Sequence, residues 1–475
     1  MKTNLLYYGD NLPILRQHFP DECIDLVYLD PPFNSKRAYN VIYRESSGEE
    51  SAAQIRAFTD FWRWDKAAVE AYQEVLTTAE PKTSKLIESI VEAIGHNDVS
   101  AYLVMMAIRL LELRRVLKAT GSVFLHCDPT ASHSLKLVMD AIFDKRNFRN
   151  EIVWHYRKWP TGTHQFQRSH DIILFYSRAG SPERHFDHRV DPMPRAPSTL
   201  KRFGDKRIIS GYDESGHRLP SQTAEDASLG VNRDDVWDIG RVPPIKQLFP
   251  TQKPEPLLRR IIRAASRPGE LVLDPFCGCG TTIVAAHGEK RRWIGIDITH
   301  LAVNLMRWRL VTEFSPDFPD TKSIPVVGEP VDMEGARQLA HQDSEQFELW
   351  ALSLVGAKAT GGKPVDGEIR FVDDPSLKAK RVVVEVTSTR SKKHFDAFLK
   401  HAGKAQVGLY ITLDPATQGM RAAAAEQGYY ESPGWQEKFP RLQLLHIAEL
   451  LEGGRPLLPP RLPRSGRGIE PQLFE

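Results

Sequence analysis

Two stretches of this chain end an apolar strand with an acid and a proline, and both could hold a planar ligand. The first is the tetrad Asp30-Pro31-Pro32-Phe33, which follows the apolar run 24–29. Because proline has no amide donor, the carboxylate of Asp30 and the carbonyl of Pro31 remain as acceptors beside an aromatic ring. These groups suit a planar molecule that carries an exocyclic amine, such as a nucleobase.

The second stretch, 271–282, has the composition of a cofactor-binding turn. Its sequence, LVLDPFCGCGTT, is an apolar strand followed by an acid, two glycines and the start of a helix. Glycine lets a ligand approach the backbone closely. A further strand ends in Asp297 about twenty residues later, where dinucleotide folds hold ribose hydroxyls. The combination predicts a cofactor that contains a nucleoside.

Strands must position these groups. The runs 24–29, 121–126, 271–274 and 292–297 are typical of short buried strands, and 151–156 and 171–176 of two antiparallel strands that finish the sheet. Since open α/β sheets bind ligands where the strand order reverses, Asp30 and Asp274 should end neighbouring strands. Residues 34–50 are expected to form a loop, and 50–118 mostly helices with a packing face around Tyr102 and Leu110.

In these motifs the sequence resembles the DNA amino-methyltransferases, which methylate an exocyclic nitrogen with S-adenosyl-L-methionine. The tetrad matches the family's catalytic tetrad, and Phe276 to Gly280 match its cofactor loop. The tetrad precedes the loop by 244 residues (274 − 30), as in the circularly permuted beta class. The resemblance spans roughly residues 1–312. It implies an α/β, Rossmann-like and circularly permuted S-adenosylmethionine-dependent methyltransferase fold.

The resemblance also implies site residues and a substrate. The catalytic residues would be Asp30, Pro31, Pro32 and Phe33. The cofactor-binding residues would be Asp10, Lys253, Asp274, Phe276, Gly278, Gly280, Thr281 and Asp297. The substrate would be adenine N6 of a base flipped out of double-stranded DNA, because a leading Asp is commoner in adenine enzymes. Cytosine N4 of DNA and structured RNA remain alternatives.

The family carries its target-recognition region between the last sheet strands and the cofactor loop, which here means about 180–245. Residues 157–207, which overlap the start of this region, contain eleven Lys and Arg against five acids, with histidines and aromatic residues interleaved. Such a stretch suits a phosphate backbone with a few side chains left for base edges.

The last third of the chain has a different pattern. Residues 313–331 are rich in proline and are expected to be a linker, and 453–475 a flexible tail. Residues 332–452 resemble the PD-(D/E)xK fold, which implies a second, smaller α/β restriction-endonuclease-like domain. Asp366 and Glu385 match the metal-holding acids, but Thr387 stands where the motif has lysine. The departure implies a degenerate domain that binds DNA without cutting it; an active nuclease, or a pure DNA-binding module, are the alternatives.

Composition limits the class of protein. The 475 residues are 41% hydrophobic and 26% charged with a net charge of +2, as in an ordinary globular chain, so any DNA-binding surface must be local. The four cysteines lack the spacing of a disulfide framework, and no apolar run reaches membrane-spanning length. These features predict a cytoplasmic protein that needs no membrane. Methyl transfer needs no metal, so none is expected unless Asp366 and Glu385 bind one. A restriction endonuclease is a possible partner, and nothing in the sequence points to an oligomeric state.

Overall fold

The computed structural model describes residues 1–32, 38–44, 50–59, 63–158, 164, 166–249, 251–360, 364–373 and 379–459, so Phe33 lies outside the described residues. The strands in these ranges are β1 (Leu5–Tyr8), β2 (Ile24–Leu29), β3 (Ala38–Arg44), β4 (Glu50–Thr59), β5 (Leu117–Cys127), β6 (Phe148–His155), β7 (His170–Ser177), β8 (Lys206–Ile209), β9 (Gln222–Ala227), β10 (Val236–Asp238), β11 (Leu271–Asp274), β12 (Arg292–Asp297), β13 (Val326–Val327), β14 (Lys358–Ala359), β15 (Gly367–Phe371), β16 (Lys380–Thr387), β17 (Val407–Thr412), β18 (Tyr429–Glu431), β19 (Lys438–Pro440) and β20 (Leu442–His446). The α-helices are α1 (Asn11–His18), α2 (Lys66–Thr78), α3 (Pro81–Ile94), α4 (Asp98–Val116), α5 (Ser132–Phe143), α6 (Pro197–Phe203), α7 (Glu255–Ala265), α8 (Thr281–Gly288), α9 (His300–Glu313), α10 (Met333–Gln342), α11 (Ser344–Leu354), α12 (Lys392–Ala402), α13 (Gln418–Glu426) and α14 (Ile447–Leu451).

The first part of the chain builds one sheet, here called the large sheet, in the strand order β10-β6-β7-β5-β2-β11-β12-β1-β13. β7 runs antiparallel to its neighbours β5 and β6, and the other neighbouring strands are parallel. The two antiparallel strands that the sequence predicts are therefore confirmed. They do not finish the sheet, because β10 adds a further parallel strand beside β6.

Helices cover both faces of the large sheet, which explains why β2 is buried along its whole length. On one face, α1, α4 and α5 bury Leu15, Leu103 and Leu135 in the same cluster as Val27. On the other, α7, α8 and α9 pack in a cluster with Leu26. The helical packing face around Tyr102 and Leu110 is confirmed, since both side chains are buried.

The segment after the tetrad differs from the prediction. β3 and β4 form an antiparallel hairpin, so the expected loop at 34–50 and the expected helix from residue 50 are wrong over those strands. The aromatic and β-branched residues at 39–43 favour an extended chain, and the polar residues around them concealed this signal.

The last part of the chain forms a second sheet, here called the small sheet, in the order β14-β15-β16-β17-β20. It does not stand apart from the large sheet. Phe347 and Trp350 of α11 share one buried cluster with Leu301 and Leu305 of α9. The intervening segment 313–331 carries β13, which pairs with β1.

Much of the expected tail lies outside the described residues. In its described part, Leu457 and Gln443 exchange two hydrogen bonds of 2.8 Å, which hold residue 457 against β20. Among the helices that the structure describes, none has the length and apolar character to cross a membrane.

Candidate active site

The carboxyl ends of the central strands bring the predicted acids together. β2 and β11 are parallel neighbours, with Val27 opposite Leu273, so Asp30 and Asp274 lie side by side where the strand order reverses. β12 and β1 follow next in the sheet, and the Gly9 amide donates to the backbone oxygen of Asp297 at 2.9 Å. The expected placement of Asp30 and Asp274 is therefore present.

The glycine turn between β11 and α8 is held by the two acids that flank it. The Asp274 carboxylate accepts from the Phe276 amide at 3.0 Å, and Asp297 Oδ2 accepts from the Gly278 amide at 2.8 Å. Gly278 and Gly280 adopt φ angles of +49° and +75°, which side chains with a Cβ rarely adopt. The two acids therefore fix the backbone of the turn, and its two glycines place no side chain over that backbone.

Asp274 and Asp297 differ in how far their carboxylates are exposed. Asp274 is 2% exposed, and burial raises its pKa to about 7, with the charges of Asp30 and Asp297 adding to the shift. Asp297 is partly exposed, although burial also raises its pKa. It accepts from the Thr299 amide and hydroxyl at 2.8 Å each. Together with the bond from the Gly278 amide, these bonds fix the carboxylate at the end of β12.

Asp10 takes part in a network that sequence reasoning missed. It caps α1 by accepting from the Leu12 amide at 3.0 Å, and Arg109 Nη2 donates to both of its carboxylate oxygens at 2.9 and 3.1 Å. Arg109 Nε also donates to Asn11 at 2.8 Å, and Asn11 donates to the Pro275 carbonyl at 2.9 Å. The sequence feature that could have identified Arg109 is its position as a charged residue within the apolar face of α4.

Thr281 begins α8 and is buried. Its hydroxyl accepts from Nη1 of the buried Arg309 at 3.3 Å, and the same nitrogen donates to the Cys279 carbonyl at 3.0 Å. On the outer side of the turn, the ring of Phe249 lies 3.6 Å from the point where a Cβ on Gly278 would sit. α9 and Phe249 therefore hold the turn from two sides.

The predicted catalytic tetrad has a cationic partner that the sequence does not predict. The Lys253 ammonium forms an ion pair with Asp30 Oδ2, and the two side chains are only 10% and 15% exposed. Asp30 Oδ1 is buried and accepts no hydrogen bond from the part of the chain that the structure describes. Pro31 is buried and Pro32 half-buried. One acceptor atom of Asp30 is thus open, and the other is covered by Lys253.

A chain of hydrogen bonds lies beside the tetrad. Tyr28 Oη is hydrogen-bonded to His126 Nδ1 at 2.8 Å, His126 Nε2 to Asp171 at 3.2 Å, and Tyr156 Oη donates to Asp171 at 2.8 Å. Burial pushes the pKa of Asp171 up, but these bonds, with the charges of His126 and Lys253, bring it down to about 2. His126 at the end of β5 therefore positions Asp171 and, through it, the ring of Tyr156.

The residues of the turn fit S-adenosyl-L-methionine. The partly exposed carboxylate of Asp297 suits a ribose hydroxyl, and the glycines permit a ligand to approach the backbone closely. Three acids, Asp30, Asp274 and Asp297, face the same edge of the sheet and favour a cationic ligand such as a sulfonium. Of the other predicted cofactor-binding residues, Phe276, Gly278, Gly280 and Thr281 lie in the turn or at the start of α8, and Lys253 is paired with Asp30. Asp10 is joined to the turn through Arg109 and Asn11.

Comparison with known proteins identifies the family. The sequence profile of the DNA methylase family matches residues 24–307, more than half of the chain. The type II methyltransferase M.BglII of Bacillus subtilis is 26% identical over 338 residues, covering 68% of this chain and 73% of the relative. The DNA adenine methyltransferase YhdJ of Escherichia coli K12 is 24% identical over 330 residues, covering 66% and 86%.

Among solved structures, the cytosine-N4-specific PvuII DNA methyltransferase aligns with a TM-score of 0.39 and 14% identity, covering 69% of this chain and 95% of that one. The profile match is the finding that decides the family. The chain belongs to the DNA methylase family of N6 and N4 DNA methyltransferases, and its methyl donor is S-adenosyl-L-methionine.

Proposed function

We propose that this enzyme methylates adenine N6 at specific sites in double-stranded DNA, with Asp30 and the Pro31 carbonyl as the acceptors for the target amine. The observation that carries the proposal is the open, buried Oδ1 of Asp30 at the strand end next to the glycine turn. A base inside a duplex cannot reach such an atom, so the base must be flipped out of the stack.

The proposed roles follow from where the acceptors lie. When bound, S-adenosyl-L-methionine would supply an electrophilic methyl group: the nitrogen–carbon bond would form as the carbon–sulfur bond breaks, S-adenosylhomocysteine would leave, and the methylated nitrogen would release one proton to water. Asp30 and the Pro31 carbonyl accept the two amine hydrogens, which aims the nitrogen lone pair toward the turn. The carboxylate also stabilises the positive charge that develops on this nitrogen. Most of the acceleration therefore comes from positioning and electrostatics. Phe33 is the proposed stacking partner of the base, and Asp297 the proposed ribose acceptor.

Adenine is favoured over cytosine for two reasons. The tetrad begins with Asp, which is commoner in adenine enzymes of the resembled family, and the Escherichia coli relative is named an adenine methyltransferase. Restriction–modification is the proposed setting, since the Bacillus subtilis relative is named a type II methyltransferase. A restriction endonuclease with the same target would then be the partner.

The region 180–245 is the proposed target-recognition region. It contains α6 and the antiparallel pair β8–β9, and Arg195 donates to the backbone oxygens of Gly204 and Lys206 at 3.1 and 2.7 Å, which joins the two elements. Lys201, Arg202, Lys206 and Arg207 are exposed here. Their placement supports contact with phosphates.

Transfer of label tests the proposal. Purified protein is incubated with tritiated S-adenosyl-L-methionine and mixed genomic DNA, and the label in DNA is counted for wild type, Asp30→Ala and Asp396→Ala. Asp396 is an exposed acid on α12 and serves as the matched control. We expect label with the wild type and the control and at least a hundredfold less with Asp30→Ala. Equal labelling by Asp30→Ala would overturn the role of the tetrad.

For residues 332–452 we propose a degenerate nuclease-like domain that binds DNA without cutting it. Asp366 precedes β15, its carboxylate accepts from the Val386 amide at 2.8 Å, and Glu385 lies beside it on β16. Burial and the charge of Asp366 raise the pKa of Glu385 to about 7. Thr387 donates to the Thr389 carbonyl at 2.8 Å, so the position of the motif's lysine carries no cation.

The missing cation is what supports a degenerate site. Without a lysine, the attacking water would lack electrostatic help in losing its proton. Incubation of unmethylated plasmid with the protein and Mg²⁺ tests this: we expect intact plasmid, and cleavage that Glu385→Ala abolishes would show an active nuclease.

A further inference from the structure

Helix α11, in the last part of the chain, packs against the helix that follows the proposed ribose acceptor. One buried cluster contains Cys279 of the glycine turn, Leu305 of α9, Trp350 of α11 and Val384 of the small sheet. α11 lies beyond residues 24–307, which the family profile matches. The core of the small sheet is therefore continuous with the proposed cofactor site, although the methylase motifs all precede it.

The Asp297 carboxylate depends on the start of α9 for its position. It accepts from the Thr299 amide and hydroxyl at 2.8 Å each, and the Thr299 hydroxyl accepts from the Ala302 amide at 3.3 Å. Thr299 thus caps α9 and holds the carboxylate at the same time. A shift of the first turn of α9 would move Thr299, and the carboxylate would move with it.

Gln346 of α11 contacts both chain segments that flank this carboxylate. Its Oε1 accepts from the His300 amide at 3.2 Å and lies 3.5 Å from the Tyr8 hydroxyl, which donates a weaker bond. The His300 amide is one of the first amides of α9, which find no acceptor within the helix. Tyr8 is paired with Asp297 in the register of β1 and β12. Gln346 therefore joins the end of β1 and the start of α9 to α11.

A second side chain of α11 holds the ring of His300. The Ser353 hydroxyl donates to the Trp350 carbonyl at 2.6 Å, so its oxygen accepts from His300 Nε2 at 2.8 Å. On the other side of the ring, Nδ1 lies 3.3 Å from Glu329, which pairs with Arg307 of α9 at 3.0 Å. Because His300 is only 2% exposed, water cannot readily replace the bonds that α11 makes to it.

We propose that Gln346 is a positioning residue for the cofactor: from α11 it fixes the first turn of α9 and thereby aims the Asp297 carboxylate at the ribose. This inference rests on the proposed role of Asp297 as the ribose acceptor and extends it to a part of the chain beyond the methylase motifs. The last part of the chain then has a function in methylation that does not depend on whether it binds DNA.

Four variants of the full-length protein test the proposal. Gln346→Met removes the acceptor at similar side-chain length, whereas Gln346→Glu keeps an acceptor oxygen whose charge the positive ends of α9 and α11 favour. Ser353→Ala releases the ring of His300 independently. Gln338→Met, at an exposed glutamine of α10, is the matched control.

Three measurements are made on each variant. Calorimetry gives the Kd for S-adenosylhomocysteine in the absence of DNA. Steady-state kinetics give kcat and the KM values for S-adenosyl-L-methionine and for DNA. Hydrogen–deuterium exchange reports on the amides of residues 297–302.

For Gln346→Met we expect the Kd for S-adenosylhomocysteine and the KM for S-adenosyl-L-methionine to rise about three- to tenfold, as for the loss of one or two buried hydrogen bonds. The kcat and the KM for DNA should stay within about twofold of wild type, because the variant loses cofactor binding alone. The amides of 297–302 should exchange faster. Ser353→Ala should raise the same Kd about two- to fivefold. Gln346→Glu and Gln338→Met should keep the wild-type values.

The contrary results are distinct. An unchanged Kd in a folded Gln346→Met variant would overturn the inference, and if that variant does not fold, an unchanged Kd in Ser353→Ala would overturn it instead. Equal losses in Gln346→Met and Gln346→Glu would contradict the acceptor role and assign the effect to side-chain shape. A wild type that binds S-adenosylhomocysteine but labels no DNA would overturn the proposed function, whereas the Kd values would still decide this inference.

Discussion

The guanidinium of Arg109 donates through Nε to the side-chain oxygen of Asn11 at 2.8 Å, and through Nη2 to Asp10. Asn11 in turn holds the Pro275 carbonyl at the start of the glycine turn. One buried side chain on α4 therefore connects the end of β1 with the end of β11. This connection explains how an acid at residue 10 and a turn at 275–280 keep a fixed distance.

Replacing Arg109 tests this connection. We expect Arg109→Met to lower the free energy of unfolding by about 2–3 kcal/mol, since it removes a buried cation but leaves Asp10 partly exposed to water. Affinity for S-adenosylhomocysteine should also fall about tenfold, because Asn11 loses its anchor. Arg114→Met on the same helix, which breaks an exposed pair with Glu80, should change stability by about 0–1 kcal/mol. Urea unfolding and calorimetry measure both, and equal effects of the two variants would contradict the account.

The second prediction concerns Gly280. A Cβ at this residue would lie 2.4 Å from Met306 Cγ, and the φ angle is +75°. Gly269 has a similar φ of +83° with nothing within 4 Å of a Cβ, so Gly269→Ala is a control for backbone strain alone. We expect Gly269→Ala to lose about 1–2 kcal/mol and Gly280→Ala about 1–3 kcal/mol more, through overpacking. Thermal unfolding should separate them, and identical melting temperatures would show that Met306 adapts without penalty.

The third prediction follows from the burial of Asp274. Its pKa is about 7 in the folded protein, against about 3.9 in an unfolded chain. Since the folded state binds this proton more tightly, the stability it adds is fully present below about pH 4 and is lost as the pH rises to about 7. The amide side chain of Asp274→Asn does not titrate, so the variant has no such pH-dependent contribution to stability. The stability of wild type minus that of the variant should therefore fall by about 2–4 kcal/mol between pH 4 and 7.5.

Urea unfolding of both proteins across this pH range measures the difference. The exposed Asp396→Asn is the control and should follow the wild-type pH dependence. A constant difference between wild type and Asp274→Asn would show that Asp274 is ionised throughout.

The fourth prediction concerns DNA contact by α6. Lys201 and Arg202 are exposed in the proposed recognition region. If both touch phosphates, the double alanine variant should reduce the slope of log affinity against log salt by about 2. Lys66→Ala with Lys85→Ala, at exposed lysines of α2 and α3, is the control and should keep the wild-type slope. Fluorescence anisotropy with duplex DNA between 50 and 200 mM salt gives the slopes. An unchanged slope in the α6 variant would show that Lys201 and Arg202 do not contact the phosphates.

Features set by local sequence were predictable here. Apolar runs that end in Asp30, Asp274 and Asp297 identify strands, and the reversal rule for α/β sheets places the first two side by side, as found. The glycines of the turn were predictable for the same reason. Gly280 has a positive φ, which the turn requires locally and which glycine adopts readily.

Features that depend on distant packing were not predictable. The partner of Lys253 is 223 positions away, and that of Arg109 is 98 positions away, so neither pair leaves a local pattern. The shared cluster of Phe249 and Trp350 also depends on how the small sheet docks. β10 is only three residues long, and its register is set by β6 rather than by its own sequence.

The identity of the methylated nucleoside tests the central claim most directly. Genomic DNA labelled by the wild type from tritiated S-adenosyl-L-methionine is digested to nucleosides, which are separated and identified by mass spectrometry. The account predicts label in N6-methyladenine, absent with Asp30→Ala. Label in N4-methylcytosine would contradict the proposed base while keeping the role of the tetrad, and label found in RNA but not in DNA would contradict the proposed substrate.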